Sequence, residues 1–278
     1  MKTQLFPGAW KRGLLLALVL ATAVPILDSC GAINLFTIND DAKLGQQIDA
    51  EIRNNPGQYP ILNNEPVRSY LQGIVDKIAA APTIKYRGTF PYRVTVINDP
   101  TTINAFATPG GYIYVYTGLL KFVDNEATLA GALGHEIAHA EERHGTEHMT
   151  NQLGIEAILG IALGNNPSGL ATTVGNAAGF LAMMKNSRDD ETEADTKSFE
   201  YLRSTPYWPG AITLFFEKMT AGASTGGAST LDQWSSTHPM PQDRVDNVKK
   251  LIRDNNIPAP TEASLMRENY RRQMRALK

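Results

Sequence analysis

The sequence predicts an α+β fold, mainly helical, with a small β-sheet whose edge strand precedes a helix bearing metal-ligand spacing. Three observations predict it. Apolar residues recur at helical spacing over most of the chain, two stretches read as strands, and "GALGHEIAHAEERHG" (131–145) holds His-Glu-x-x-His just after the second of them. A chain of 278 residues with 42% hydrophobic content can bury one sizeable core with appendages. Lys and Arg total 26 against 28 acids, so no global charge favours nucleic acid or an acidic substrate.

The amino terminus reads as a secretion signal, with Lys2, Lys11 and Arg12 ahead of the apolar run "LLLALVLATAV", which is shorter than a membrane span. "ILDSC" then places Leu27 and Ser29 before Cys30 as in the lipobox of bacterial lipoproteins, although Asp28 is an unusual occupant. Cys30 is the only cysteine, so no intramolecular disulfide can form, and a lipid there accounts for the lone thiol. The alternative is an ordinary signal cleaved near "ATA" at 21–23. The expected organisation is a signal peptide over 1–29, a linker over 30–39, one domain over 40–254 and a basic, helical tail over 255–278. That tail, "RENYRRQMRALK", is expected to be a solvated helix face and not a nucleic-acid site.

Along the domain, Leu44, Ile48 and Ile52 define one face of a first helix, and Val67, Leu71, Ile74 and Ile78 that of a second. "PYRVTVIND" and "GGYIYVYTG" read as strands, with "NAFATPGG" as the turn between them. The motif helix is expected over about 125–144, capped by Asp124 and closed by Arg143 and His144 before Gly145. "NQLGIEAILGIALG" and "GLATTVGNAAGFLAMM" follow as close-packed helices or a hairpin, each short for a bilayer. Further helices are expected over roughly 188–204, from near Pro209, and in "PQDRVDNVKKLI".

Residues four apart share a helix face, so His135 and His139 can present two imidazoles to one ion, while Glu136 stands to one side. A glutamate beside a metal but not bound to it can take the proton of an attacking water. Thr128, Gly131 and Ala132 on the same face leave room for substrate or another helix. Two histidines do not complete a site. A metzincin needs Gly at 142 and His at 145, where this chain has Glu142 and Gly145. A thermolysin-like spacing would use Glu156, which falls in an apolar, glycine-bearing stretch. In "SRDDETEADTKSFEYL", Glu191, Asp195, Ser198, Phe199 and Leu202 share the buried face, whereas Glu193, Lys197 and Glu200 face out and Glu193 can pair with Lys197. Glu191 is therefore the inward carboxylate, and Asp195 can orient the site or handle a proton.

"NAFATPGGYIYVYTGLL", "GHEIAHAEERHG", "SRDDETEAD" and "STHPMPQDR", in this order, resemble the M-48 family of zinc metallopeptidases, over roughly residues 40–254. That family includes prenyl-protein (CAAX) peptidases and bacterial quality-control proteases, and this chain is similar to its periplasmic lipoprotein and assembly-protease branch. The resemblance implies a zincin-like metallopeptidase domain with one zinc per chain held by His135, His139 and Glu191. It also implies Glu136 as general base and Asp195 as proton donor or stabilising group. Where the family often has Gly-Tyr-Asp-Pro, this chain has "TPYWPG", which should alter a loop and not the chemistry.

Among the remaining histidines, Gly145 should break the face shared by His144 and His148, leaving His144 a structural role against a carbonyl or an acid. His238, in "STHPMP", is expected to reach the site and stabilise an oxyanion, to cap the zinc at rest, or only to anchor a turn. Substrate is expected as an added strand along "GGYIYVYTG", which suits unfolded or misassembled envelope proteins. The expected location is the periplasmic side of the outer membrane, held by a lipid on Cys30, or otherwise a secreted or periplasmic soluble form. The competing expectation is a latent, chaperone-like assembly factor that cleaves rarely.

Overall fold

The computed structural model describes residues 34–153, 177–183, 186–224, 234–235, 237–239 and 242–277. The signal segment, Cys30, Glu156 and most of the two apolar stretches between 151 and 184 lie outside the described residues. None of the described helices is long and apolar enough to cross a membrane.

Two helices come first, α1 (Ile38–Asn54) and α2 (Glu65–Ala79). Each starts where a side chain satisfies free backbone amides: Thr37 forms a capping box with Asp40, and Asn64 accepts from the Val67 N–H. The apolar residues picked out by spacing are buried on both, with Asp41, Gly45 and Asp49 beside them on α1 and Val75 and Ala79 on α2.

The sheet has three strands, β1 (Arg93–Ile97), β2 (Ala105–Thr108) and β3 (Tyr112–Tyr116), in the order β1-β3-β2. β1 pairs parallel and β2 antiparallel to β3. The stretch expected to be a turn thus holds β2, and the turn itself shrinks to Pro109–Gly111, where Gly110 and Gly111 both adopt positive φ. A second expectation falls with it: β3 is the central strand, and the outer strand beside the motif helix is β2. Two-residue alternation gives the sheet its two faces. Ile113 and Val115 join the main core, whereas Tyr112 and Tyr114 join Phe106 and the apolar side of α1 in a smaller cluster.

After the short α3 (Thr117–Phe122), α4 (Glu126–Glu141) carries the motif and is buried along its whole length. Its cap is Asn125, which accepts from the Thr128 N–H; Asp124 pairs with Lys218 instead. The helix also ends earlier than expected. Arg143 takes φ 65°, and α5 begins at His144 and runs to Leu153. The cause is tertiary: the Arg143 guanidinium is drawn to buried Asp41 and to the Phe36 carbonyl.

The remaining helices among the described residues are α6 (Ala177–Met183), α7 (Arg188–Leu202), α8 (Ala211–Ser224), α9 (Gln242–Asp254), α10 (Glu262–Leu265) and α11 (Arg267–Met274). α4 packs against β2, α2, α7 and α8. Space left by small residues on α4 is filled by a helix, since the start of α8 lies directly against Gly131.

Candidate metal centre

α4 and α7 supply the centre, and both are fixed before any ligand is considered. α7 opens with a capping box between Ser187 and Asp190, which sets the rotation of its first turn and turns Glu191 inward. Ser198 Oγ donates to the Gly131 carbonyl, tying the two helices together at 2.9 Å. His135, Glu136, His139, Glu191, Asp195 and His238 are all brought together, each under 5% exposed.

The distances among three side chains describe one face of a small polyhedron. His135 Nε2 lies 3.0 Å from His139 Nε2, and the Glu191 carboxylate spans the two, with Oε2 3.3 Å from His135 Nε2 and Oε1 3.3 Å from His139 Nε2. Zinc-type ligand bonds of about 2.0–2.1 Å in a tetrahedron imply ligand atoms roughly 3.3 Å apart. His238 Nδ1 stands 3.3 Å from His135 Nε2 and 3.0 Å from Glu191 Oε1, at the fourth corner. The four ligand atoms lie within 4.8 Å of one another, so the group could hold a metal ion. Two imidazole nitrogens facing each other at 3.0 Å can share at most one hydrogen, which is the arrangement a cation between them would satisfy. The residues fit the ion the motif implies.

The electrostatics agree. Burial disfavours a charged His135, yet the adjacent carboxylates of Glu191 and Asp195 outweigh it and push its pKa up to about 9. Burial likewise penalises the Glu191 carboxylate, but His238 and His135 hold it well below the usual carboxylate range. Burial raises the Glu136 carboxyl and depresses His139. A pocket with three buried carboxylates and one guanidinium attracts a cation.

Behind these groups stands a set of partners. His135 Nδ1 lies 2.9 Å from Asp195 Oδ1, an approach by distance whose angle falls short of a hydrogen bond. Arg244 is fully buried; it donates to both Asp195 oxygens at 2.7 and 2.8 Å and reaches Glu191 Oε2 at 2.6 Å. Asp195 therefore lies behind His135. His139 Nδ1 meets His144 Nδ1 at 2.8 Å, and His144 Nε2 lies 3.4 Å from Glu193 Oε2. His144 and His148 share α5 after all, because the helix break precedes them, and His148 pairs with Asp190 at 2.8 Å. The partner expected for Glu193 was Lys197, which pairs instead with Glu142 and Glu200.

His238 is held by a turn in which its N–H donates to the Trp234 carbonyl, and its ring stacks on the Trp234 indole at 4.5 Å. Its Nε2 lies 3.5 Å from Glu136 Oε1, so one ring faces both the ligand cluster and the base. A cavity of about 20 Å³ adjoins the cluster, lined by Glu136, His139, Asn186, His238, Phe106 and Ala107 among others, with room for about one water.

Three participants were not read from the sequence as parts of the site. Arg244 had a signal, as the cation of the "STHPMPQDR" string. Trp234 and Asn186 had none beyond nearness to His238 and to the start of α7.

Fold and site together are those of the His-Glu-x-x-His class of metallopeptidases. Residues 66–252 match the profile of Peptidase family M48, and the chain belongs to that family. It is 27% identical over 219 residues to the Beta-barrel assembly-enhancing protease of Escherichia coli, covering 74% of this chain and 44% of that protein. It is 30% identical over 185 residues to the Mitochondrial metalloendopeptidase OMA1 of Saccharomyces cerevisiae, covering 65% of this chain and 53% of that one. The OMA1 of Arabidopsis thaliana is 32% identical over 182 residues, 66% of this chain and 35% of its own length. The chain thus spans less than half of the Escherichia coli relative.

Proposed function

We propose that this protein is a zinc-dependent endopeptidase of the bacterial cell envelope that hydrolyses peptide bonds in unfolded or misassembled proteins. The observation that carries this reading is the His135, His139 and Glu191 triangle with Glu136 beside it and outside the ligand set. Two imidazoles and one carboxylate are a donor set suited to catalytic zinc, one ion per chain. Zinc bound there supplies Lewis acidity, polarising a carbonyl and acidifying water. Glu136 takes the proton of the attacking water and returns it to the leaving amine; burial raises its proton affinity above that of an ordinary carboxylate. Asp195 orients His135 from behind, under the grip of Arg244.

Substrate aligns along the outer edge of β2, next to α4. Recognition through backbone groups suits unfolded chains. The lipid on Cys30 and the periplasmic face of the outer membrane belong to the same proposal. Their support is the lipobox-like "ILDSC" and the similarity to an assembly-enhancing protease.

A second reading has its own observation. His238 at the fourth corner, beside a cavity of about 20 Å³, describes a closed centre, as a latent, chaperone-like factor would have. Zinc-loaded wild type and His238→Ala, incubated with a reduced and alkylated test protein with and without chelator, separate the two. The endopeptidase reading expects chelator-sensitive cleavage in both, several-fold faster in the variant as zinc binds more weakly. Cleavage by neither, with zinc bound, leaves the chaperone-like reading. Equal rates and equal zinc affinity reduce His238 to a turn anchor.

A further inference from the structure

We infer that Asn186 is a substrate-binding residue, whose side-chain oxygen accepts a backbone N–H of the peptide next to the bond being cleaved. This rests on the metallopeptidase reading above.

Asn186 is 6% exposed and directly precedes Ser187, the cap of α7, so its backbone is fixed by the same capping box that orients Glu191. Its Nδ2 donates to Glu191 Oε1 at 2.8 Å and lies 3.2 Å from His139 Nε2. The amide is therefore oriented: the nitrogen end is committed to the ligand side, because the oxygen end would oppose a carboxylate there. Oδ1 is the remaining end. It is buried, has no hydrogen-bond partner among the described residues, and belongs to a residue that lines the cavity beside Glu136 and His238. Buried carbonyl oxygens are almost always paired, and an orphan at a functional site calls for a ligand.

The chemistry of the cavity says which ligand. Glu136 accepts a proton there, His238 faces both Glu136 and Glu191, and Asn186 Oδ1 is an acceptor without a donor. An extended peptide brings a carbonyl to be attacked and, beside it, backbone N–H groups. An N–H is the complement Oδ1 lacks. The residue would thus join the third ligand to the substrate, holding Glu191 with one end and the peptide with the other.

The test uses the full zinc-loaded protein and a hydroxamate-terminated peptide, together with its set of singly N-methylated analogues, bound by calorimetry. In wild type, one N-methyl group weakens binding on the order of tenfold, the loss of one hydrogen bond with a buried acceptor left unpaired. In Asn186→Leu the same N-methyl group costs less than about twofold, by the logic of a double-mutant cycle. Cleavage of the parent sequence shows the loss in KM more than in kcat, as for binding common to ground and transition states. Asn186→Ala, which cannot overpack, serves where the leucine variant fails to fold. A penalty that persists unchanged in these variants overturns the inference, whatever happens to zinc affinity or Tm. Failure of the wild type to hold zinc or the parent hydroxamate sinks the metallopeptidase reading itself, and this inference with it.

Discussion

His139 is held from behind by another imidazole. Its Nδ1 and that of His144 share one hydrogen at 2.8 Å, which fixes the His139 ring and leaves Nε2 for the ion; Glu193 stands behind His144 in turn. Such outer partners set the tautomer and basicity of a ligand, and their loss costs about 10–100-fold in metal affinity. His144→Ala should therefore weaken zinc binding by about that factor in a competition titration with a chromophoric chelator. An unchanged affinity would reduce His144 to packing. The sequence made the convergence of His135, Glu136, His139 and Glu191 legible because residues on a helix face obey its period. It did not give the partners of His144 or Glu193, because a helical period tells which face a residue occupies and not which neighbouring helix supplies its contact. The fourth-corner position of His238 was legible only as one of three roles, since no spacing links it to α4.

The elements meet where side chains are smallest. A Cβ built on Gly131 would lie 2.7 Å from the Ile212 backbone nitrogen, and backbone cannot step aside as a flexible side chain can. Alanine is the better helix former by about 1 kcal/mol, but overpacking costs about 1–3 kcal/mol. Gly131→Ala should thus lower the urea midpoint, with a net loss of up to about 2 kcal/mol; a gain in stability would mean that α8 can retreat from α4. At this scale the helices with a clear apolar stripe, α1 and α2, were readable from spacing alone. β2 was not: "AFAT" flanked by asparagine and Pro-Gly-Gly carries turn chemistry, and only its pairing with β3 makes it a strand. The end of α4 misled for a related reason. Gly145 is the conventional stop, but the ion pair of Arg143 with Asp41 breaks the helix before it.

Across the whole molecule, the basic carboxy-terminal segment is part of the packed body. Its charges drew a boundary at residue 255, yet Leu265 and Tyr270 are buried, and the Tyr270 hydroxyl donates to the Leu120 carbonyl at 2.5 Å. Asn269 donates to Glu126, a carboxylate 1% exposed in the first turn of α4 that also accepts from Tyr70 and Tyr207. The segment thus closes over the start of the motif helix. Ending the chain at Ile257 removes two buried side chains and one donor to a buried carboxylate, which should cost about 3 kcal/mol or more. Thermal unfolding of the truncated protein should show a Tm lower by several degrees, whereas an unchanged Tm would make the segment an ornament. The run of arginines was correctly read as a solvated face, but the single aromatic among them carries the packing.

Comparing wild type with Glu136→Gln, both begun after Cys30, tests most directly whether a base beside a bound ion does the chemistry. Bound zinc and cleavage of an unfolded test protein would be quantified together. One zinc in each protein, with cleavage in the wild type alone, is the predicted result. Zinc in both with equal cleavage would contradict the role of Glu136, and absence of zinc from both would contradict the centre itself.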